Sequence, residues 1–187
     1  MSDGALDEHV ALVARVRELL SDVQAVAQAL IGAYERGGCV YAFGNGGSAA
    51  DAQHLVGELI GRFARDRRPL AAVTLSVDPS AVTCIANDYS FDDVFARQVE
   101  ALASADDVVV GYTTSGASEN VVRGLGAAKR VGATTVLFTG GAGGPALAEA
   151  DHSFVMPSSS AARVQEMHLL LMHLVVEEVD AWAASGS

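Results

Sequence analysis

The sequence predicts an α/β fold, a three-layer αβα sandwich built on a five-stranded parallel sheet. Three observations carry this prediction. Five short apolar runs of strand type occur at Cys39–Phe43, Ala71–Ser76, Val108–Thr113, Thr134–Thr139 and His152–Met156. Helical patterns fall between or after them, near Ser80–Ala86, Phe91–Leu102, Glu119–Val131 and Ala161–Ala183, and such alternation is the mark of parallel strands joined by crossover helices. Half of the residues are hydrophobic and only 19% are charged, a balance that suits a sheet covered on both faces, or helices that also pack against other subunits.

The elements follow in chain order. Leu6, Val10, Val13, Val16 and Leu20 recur at helical spacing, and Ser21 with Gln24 reads as a capping box opening a second helix that carries Val23, Val26, Ala27, Leu30 and Tyr34. Gly37-Gly38 ends that helix, and the first strand follows at once. At 187 residues the chain is expected to form a single domain over 1–187: a helical segment over about 5–36, an α/β core over about 37–157 and a C-terminal helix over about 160–183. The N-terminal helices and the long last helix are the surfaces expected to serve oligomer packing. Ala184–Ser187 reads as a loose tail.

A formal charge of -11 would repel nucleic acid and anionic membranes. An anionic ligand must then be held by local donors, namely backbone N–H groups and helix N-termini. Met1-Ser2-Asp3-Gly4 lacks a basic region followed by an apolar stretch, and no uncharged run is long enough to span a bilayer, so a cytoplasmic protein is expected. Cys39 and Cys84 match no metal-ligand or C-x-x-C spacing and read as reduced, partly buried thiols.

Two loops leaving strands are suited to phosphate. Gly44-Asn45-Gly46-Gly47-Ser48 joins the first strand to a helix expected from about Ala49, with Asp51 in its first turn. Glycines let the backbone approach a ligand, the helix start offers unpaired N–H groups, and Ser48 can donate a hydroxyl. Alone, such a loop is also consistent with a tight turn. It lacks a P-loop lysine and the third glycine of the dinucleotide fingerprint, and Ser76, not an acidic residue, ends the second strand. The second loop, Thr113-Thr114-Ser115-Gly116-Ala117-Ser118, crowds four hydroxyls into six residues before a helix begun by Glu119-Asn120. Two such loops from neighbouring strands would grip one phosphate without lysine or arginine.

On the helix after the first loop, His54 and Glu58 are four apart and share a face with Asp51, opposite an apolar stripe of Ala52, Val56, Leu59, Ile60 and Phe63. The spacing fits a solvated pair, a general base or a divalent-metal pair. The last helix is apolar almost all round yet carries Gln165, His168 and His173. His168 reads as a satisfied core histidine. Gln165 and His173 are separated by about 12 Å of helical rise, so both reach one metal only by extending toward each other or by coming from different chains.

The segments GNGGSAADAQHLVGELIGRF, IANDYSFDDVFARQVEAL, TTSGAS and ARVQEMHLLLMH resemble the sugar isomerase (SIS) domain superfamily and, within it, the phosphoheptose isomerases, with order and spacing agreeing across nearly the whole chain. The resemblance implies a SIS fold of flavodoxin or Rossmann type and a homotetramer with active sites between subunits. It implies an aldose–ketose isomerase converting sedoheptulose 7-phosphate to D-glycero-D-manno-heptose 7-phosphate. Carried over by position, Asn45, Gly46, Gly47, Ser48, Asn87, Asp88, Thr113, Thr114, Ser115, Ser118 and Gln165 would contact substrate. Glu58 and His173 match the acid–base pair, and His54, Glu58, Gln165 and His173 match the ligands of a zinc ion, one per subunit. The chemistry suits those side chains: moving a proton between neighbouring carbons through an enediol needs a base, an acid and a means of polarising the carbonyl.

Two positions depart from the catalytic pattern. Ser158-Ser159-Ser160-Ala161-Ala162 stands where such relatives often carry acidic residues and a threonine, and Ala117 stands where asparagine is usual. Both bear on which phosphosugar is taken, so an isomerase of another phosphosugar is one alternative. The other is a non-catalytic SIS tetramer of the replication-initiator-associating type, whose members lack the acidic residue and histidine that this chain keeps as Glu58 and His173.

Overall fold

The computed structural model describes residues 2–186. Five strands, β1 (Val40–Gly44), β2 (Ala72–Thr74), β3 (Val108–Tyr112), β4 (Thr134–Gly140) and β5 (His152–Met156), pair in the order β2-β1-β3-β4-β5. Every pairing is parallel. The helices are α1 (Ser2–Val16), α2 (Leu20–Glu35), α3 (Gly47–Ile60), α4 (Pro79–Asp88), α5 (Ala96–Leu102), α6 (Glu119–Val131) and α7 (Ala161–Ser185). This is the five-stranded αβα sandwich expected.

Side-chain alternation along the strands divides the interior in two. Val108, Val110 and Tyr112 of β3 enter a core shared with α1, α2, α3 and α7. Val109, between them, enters a second core with α4, α5 and α6, where Phe43 stacks on Phe95 at 4.6 Å. The amino ends of the strands are tied by Asp107, whose carboxylate accepts from the Cys39 N–H (2.7 Å) and from the Ser104 N–H (2.6 Å). Gly38 has no room for a side chain, since a Cβ would lie 2.2 Å from the Asp106 carbonyl oxygen.

Several local expectations are corrected. The capping box at Ser21 and Gln24 does not form: α2 begins one residue earlier, at Leu20, after a 3-10 turn over Arg17–Leu19, with no side-chain cap. The chain stays helical through this stretch, leaving Ser21 inside the helix. On α1 the buried seam is Leu12 and Val16, while Leu6 and Val10 are 64% and 67% exposed, because α1 covers α7 from outside. The segment expected as one helix from Phe91 splits into a 3-10 turn, Phe91–Asp93, and α5; Ser90 Oγ accepts from the Asp92 N–H at that turn. α3 starts at Gly47 rather than Ala49, which moves Asp51 out of its first turn. Ile60 is exposed, and Phe63 lies beyond the helix end. Cys84 is exposed rather than partly buried. α7 runs on through Ser185, so Ala184 and Ser185 are helical, and Ser187 lies outside the described residues. Among the described residues, no helix is long and apolar enough to cross a membrane.

His168 is fully buried against the rings of Tyr112 and Phe138. The ring is the core histidine expected, its polar contact being with the Thr139 backbone, although neither ring nitrogen makes a well-aligned hydrogen bond among the described residues. Burial lowers its pKa from the ordinary 6.5 to about 4, against a weaker opposing effect of the Thr139 backbone. The unfolded chain takes up this proton near 6.5 while the folded chain refuses it until about 4. Stability therefore falls as pH drops through that window and changes no further through this group below it. His168→Leu is expected to flatten that fall and to raise the thermal midpoint at pH 5, measured by circular dichroism melts across pH 4 to 7.

Candidate active site

Because all strands run the same way, their carboxyl ends and the helices that follow share one edge. β1 leads outward to β2 and β3 leads the other way to β4, which opens a crevice between the β1 and β3 ends. A cavity of about 150 Å³ occupies it, lined by Asn45, Ser48, Tyr112, Thr113, Thr114, Ser118 and Gln165.

Its walls are built by turn chemistry. Gly46 takes φ +56 to start α3, and Ser48 is buried in the first turn of that helix. Gly116, at φ +67, lies so close to Gly143 that a Cβ would stand 1.9 Å from its carbonyl oxygen, which fixes the second loop against the β4 end. Asn45 and Asn120 join the two loops by reciprocal amide hydrogen bonds of 2.8 and 3.0 Å. Thr113 Oγ1 accepts from the Gly116 N–H and lies 3.4 Å from Ser118 Oγ. Ser118 occupies the N-cap of α6 without capping it, its hydroxyl meeting that of Thr113 instead. Gln165 arrives from α7 with its amide over Gly47, where a Cβ would be 2.3 Å from Nε2. Two helix starts and a ring of hydroxyls thus face one cavity, with no lysine or arginine among its lining residues.

A second group of candidates meets at the other end of α3. His54 Nε2 is 3.1 Å from Glu58 Oε1 and 3.4 Å from His173 Nε2, and the donor atoms of all three lie within 4.8 Å of one another. Zinc ligands at about 2.0–2.2 Å in tetrahedral array stand roughly 3.3 Å apart, so two imidazoles and a carboxylate at these spacings fit such an ion. Burial, then the neighbouring His54, lowers the His173 pKa against the opposing pull of Glu58. That keeps a lone pair on the ring for a metal or a proton. The Phe63 ring lies 5.6 Å from His173.

Not every candidate joins these groups. Gln165 belongs to the cavity, with its amide over Gly47 and about 12 Å of helical rise between it and His173. Gly46 lines a neighbouring hollow with Ser76 and Phe91, and Ser115 is exposed, its Oγ accepting from the Ala117 N–H. Asn87 and Asp88 end α4, exposed and hydrogen-bonded to each other (2.8 Å), outside the lining of either cavity.

The structure adds Tyr112 to the candidates and gives Asn120 and Asp51, already noted beside them in the sequence, a place at the site. Tyr112 lines the cavity, Asn120 braces Asn45, and Asp51 carries a buried Oδ2 without a hydrogen-bond partner among the described residues. Burial, opposed by His54, raises the Asp51 pKa to about 6. Only the position of Tyr112 immediately before the hydroxyl loop could have pointed to it from sequence.

The sequence pattern of the SIS domain family matches residues 6–140. A phosphoheptose isomerase of Aquifex aeolicus is 50% identical over 162 residues, covering 87% of this chain and 85% of that protein. Solved phosphoheptose isomerases from Neisseria gonorrhoeae (37% identity, TM-score 0.90, 96% of this chain and 97% of that one) and Francisella tularensis (31%, TM-score 0.91, 96% of each) share the fold.

A hydroxyl that caps nothing costs the helix little when removed. Ser118→Ala is therefore expected to leave the thermal midpoint unchanged while weakening binding of inorganic phosphate about tenfold, the value of one charge-assisted hydrogen bond. Titration calorimetry beside a thermal melt checks both halves.

Proposed function

The chain belongs to the SIS domain family and, within it, to the phosphoheptose isomerases, and from that membership we propose that it interconverts sedoheptulose 7-phosphate and D-glycero-D-manno-heptose 7-phosphate. The observation that carries the reading is the convergence of His54, Glu58 and His173 from two helices on one point. The hydroxyl-lined cavity at the start of the same α3 supplies a place for the phosphate.

In this reading the substrate phosphate sits among Ser48, Thr113, Thr114 and Ser118, held by hydroxyls and by the N-termini of α3 and α6. Glu58 is the carbon base. With Oε1 turned to His54, its other oxygen takes the proton from one of the two reacting carbons and returns it to the neighbour. His173, whose pKa burial lowers, accepts a proton from one sugar oxygen and delivers it to the other, so the enediol forms and collapses without net proton change. A zinc ion held by His54, Glu58 and His173, with the Gln165 of a neighbouring copy as a fourth ligand, would polarise the carbonyl as a Lewis acid.

Ten residues of α3, about 15 Å of rise, separate Ser48 from Glu58, and Gln165 stands apart from His173 on α7. This spacing supports a site shared between copies, in which one chain's cavity faces a neighbour's acid–base cluster, within a homotetramer. The exposed apolar residues Leu6 and Val10 of α1 support packing of this kind, and Asn87 and Asp88 would meet substrate there. The unpaired thiols Cys39 and Cys84 support a cytoplasmic setting.

Incubation of the purified protein with sedoheptulose 7-phosphate, with and without zinc, followed by phosphorus NMR, is expected to show a manno-heptose 7-phosphate. Folded, zinc-loaded protein that makes none would turn attention to other phosphosugars. Glu58→Gln and His173→Gln are each expected to lower kcat by about a thousandfold or more with the fold intact by circular dichroism, and near-parental turnover in either variant would rule out the acid–base role of the residue replaced.

A further inference from the structure

Resting on the isomerase reading, we propose that Arg67 and Asp180 are positioning residues, a buried clamp that holds the end of α3 bearing Glu58 against the stretch of α7 bearing His173. Both side chains are fully buried, with Arg67 Nε donating to Asp180 Oδ1 at 3.0 Å. The same guanidinium donates to the carbonyl of Glu58 itself (2.7 Å) and to that of Leu59 (2.8 Å). These carbonyls belong to the last turn of α3, where helix geometry leaves acceptors without partners and the dipole favours a cation.

The other half of the clamp reaches α7. Asp180 follows His173 by seven residues, two turns along the same helix face. Its Oδ2 accepts from the backbone N–H groups of Ala64 (3.3 Å) and Arg65 (3.0 Å), which straps the segment after α3 onto α7. Phe63, in that strap, lies against the His173 ring. The two members of the acid–base pair are thus each tied to one end of the buried Arg67–Asp180 pair, which Arg65 flanks at 3.5 Å from Asp180 Oδ2.

Stability alone is a poor account of this arrangement, since a buried ion pair is commonly no better than well-packed apolar residues of similar volume. What apolar side chains cannot do is grip the Glu58 carbonyl in a fixed direction. A base and an acid that must converge on one substrate tolerate little displacement, and a misplacement of about 1 Å can cost about a hundredfold in rate.

The test is the double variant Arg67→Met/Asp180→Leu, which removes both buried charges together; the Arg65 guanidinium that also meets Asp180 is half exposed and is left to solvent. It is expected to melt near the parental temperature and to keep KM within about twofold, while kcat falls about tenfold or more. Parental kcat in this folded variant would overturn the clamp. A parent protein that turns over no sugar would instead defeat the isomerase reading, and crystal structures would then decide the clamp. His54, Glu58 and His173 still converging in the double variant would overturn it, and their dispersal would support it. If the double variant does not fold, Asp180→Glu, which keeps the charge and shifts it by one methylene, replaces it under the same criteria.

Discussion

Parallel pairing of β1 with β3, in register from Val40 and Val108 to Gly44 and Tyr112, is the constraint on which the rest of the molecule depends. It places the ends of two strands side by side while their next neighbours, β2 and β4, lie on opposite sides. The chain must leave both strands at one edge, and each exit becomes a loop that opens a helix. The cavity between them is a consequence of topology before any side chain is considered. Side chains then decide its chemistry: hydroxyls and the paired amides of Asn45 and Asn120 replace the apolar contacts found deeper in the sheet.

The charge balance explains how an anion can be held in an acidic protein. Several cations of this chain are engaged elsewhere: Arg67 in the clamp with Asp180, Arg123 with Asp93 and Glu119, Arg163 with Glu166. The cavity relies on helix starts and hydroxyl dipoles, which are fixed by the backbone and bring no mobile charge of their own. α3 couples this end to the other one, because the helix that begins at the cavity also carries His54 and Glu58. Rigid placement at both ends follows from one continuous segment packed on β1 and α7.

Much of this was legible along the chain where local signals agree. β5 and α6 have the predicted boundaries, because Pro157 follows the one and Gly132, at φ +85, closes the other. The stripe Val23, Val26, Ala27, Leu30 and Tyr34 is buried as read. The failures occur where local signals compete with packing. Ser21 resembles a cap, but no chain break precedes it and the helix runs through. Leu6 and Val10 resemble a buried face, yet α1 touches the core only along Leu12 and Val16. His168 is the core histidine it resembles, and only its neighbours reveal that neither nitrogen is well bonded.

By itself, the sequence determined the strand–helix alternation, the two glycine- and hydroxyl-rich loops and the pairing of His54 with Glu58 one helical turn apart, because each depends on residues near one another in the chain. The tertiary structure decided which of these meet. It brought His173 across 119 residues to His54 and set Gln165 over Gly47. It also buried Arg67 against Asp180, 113 residues away. Such contacts depend on how helices lie on the sheet, and packing of that kind is set by the summed burial of both cores rather than by any local pattern.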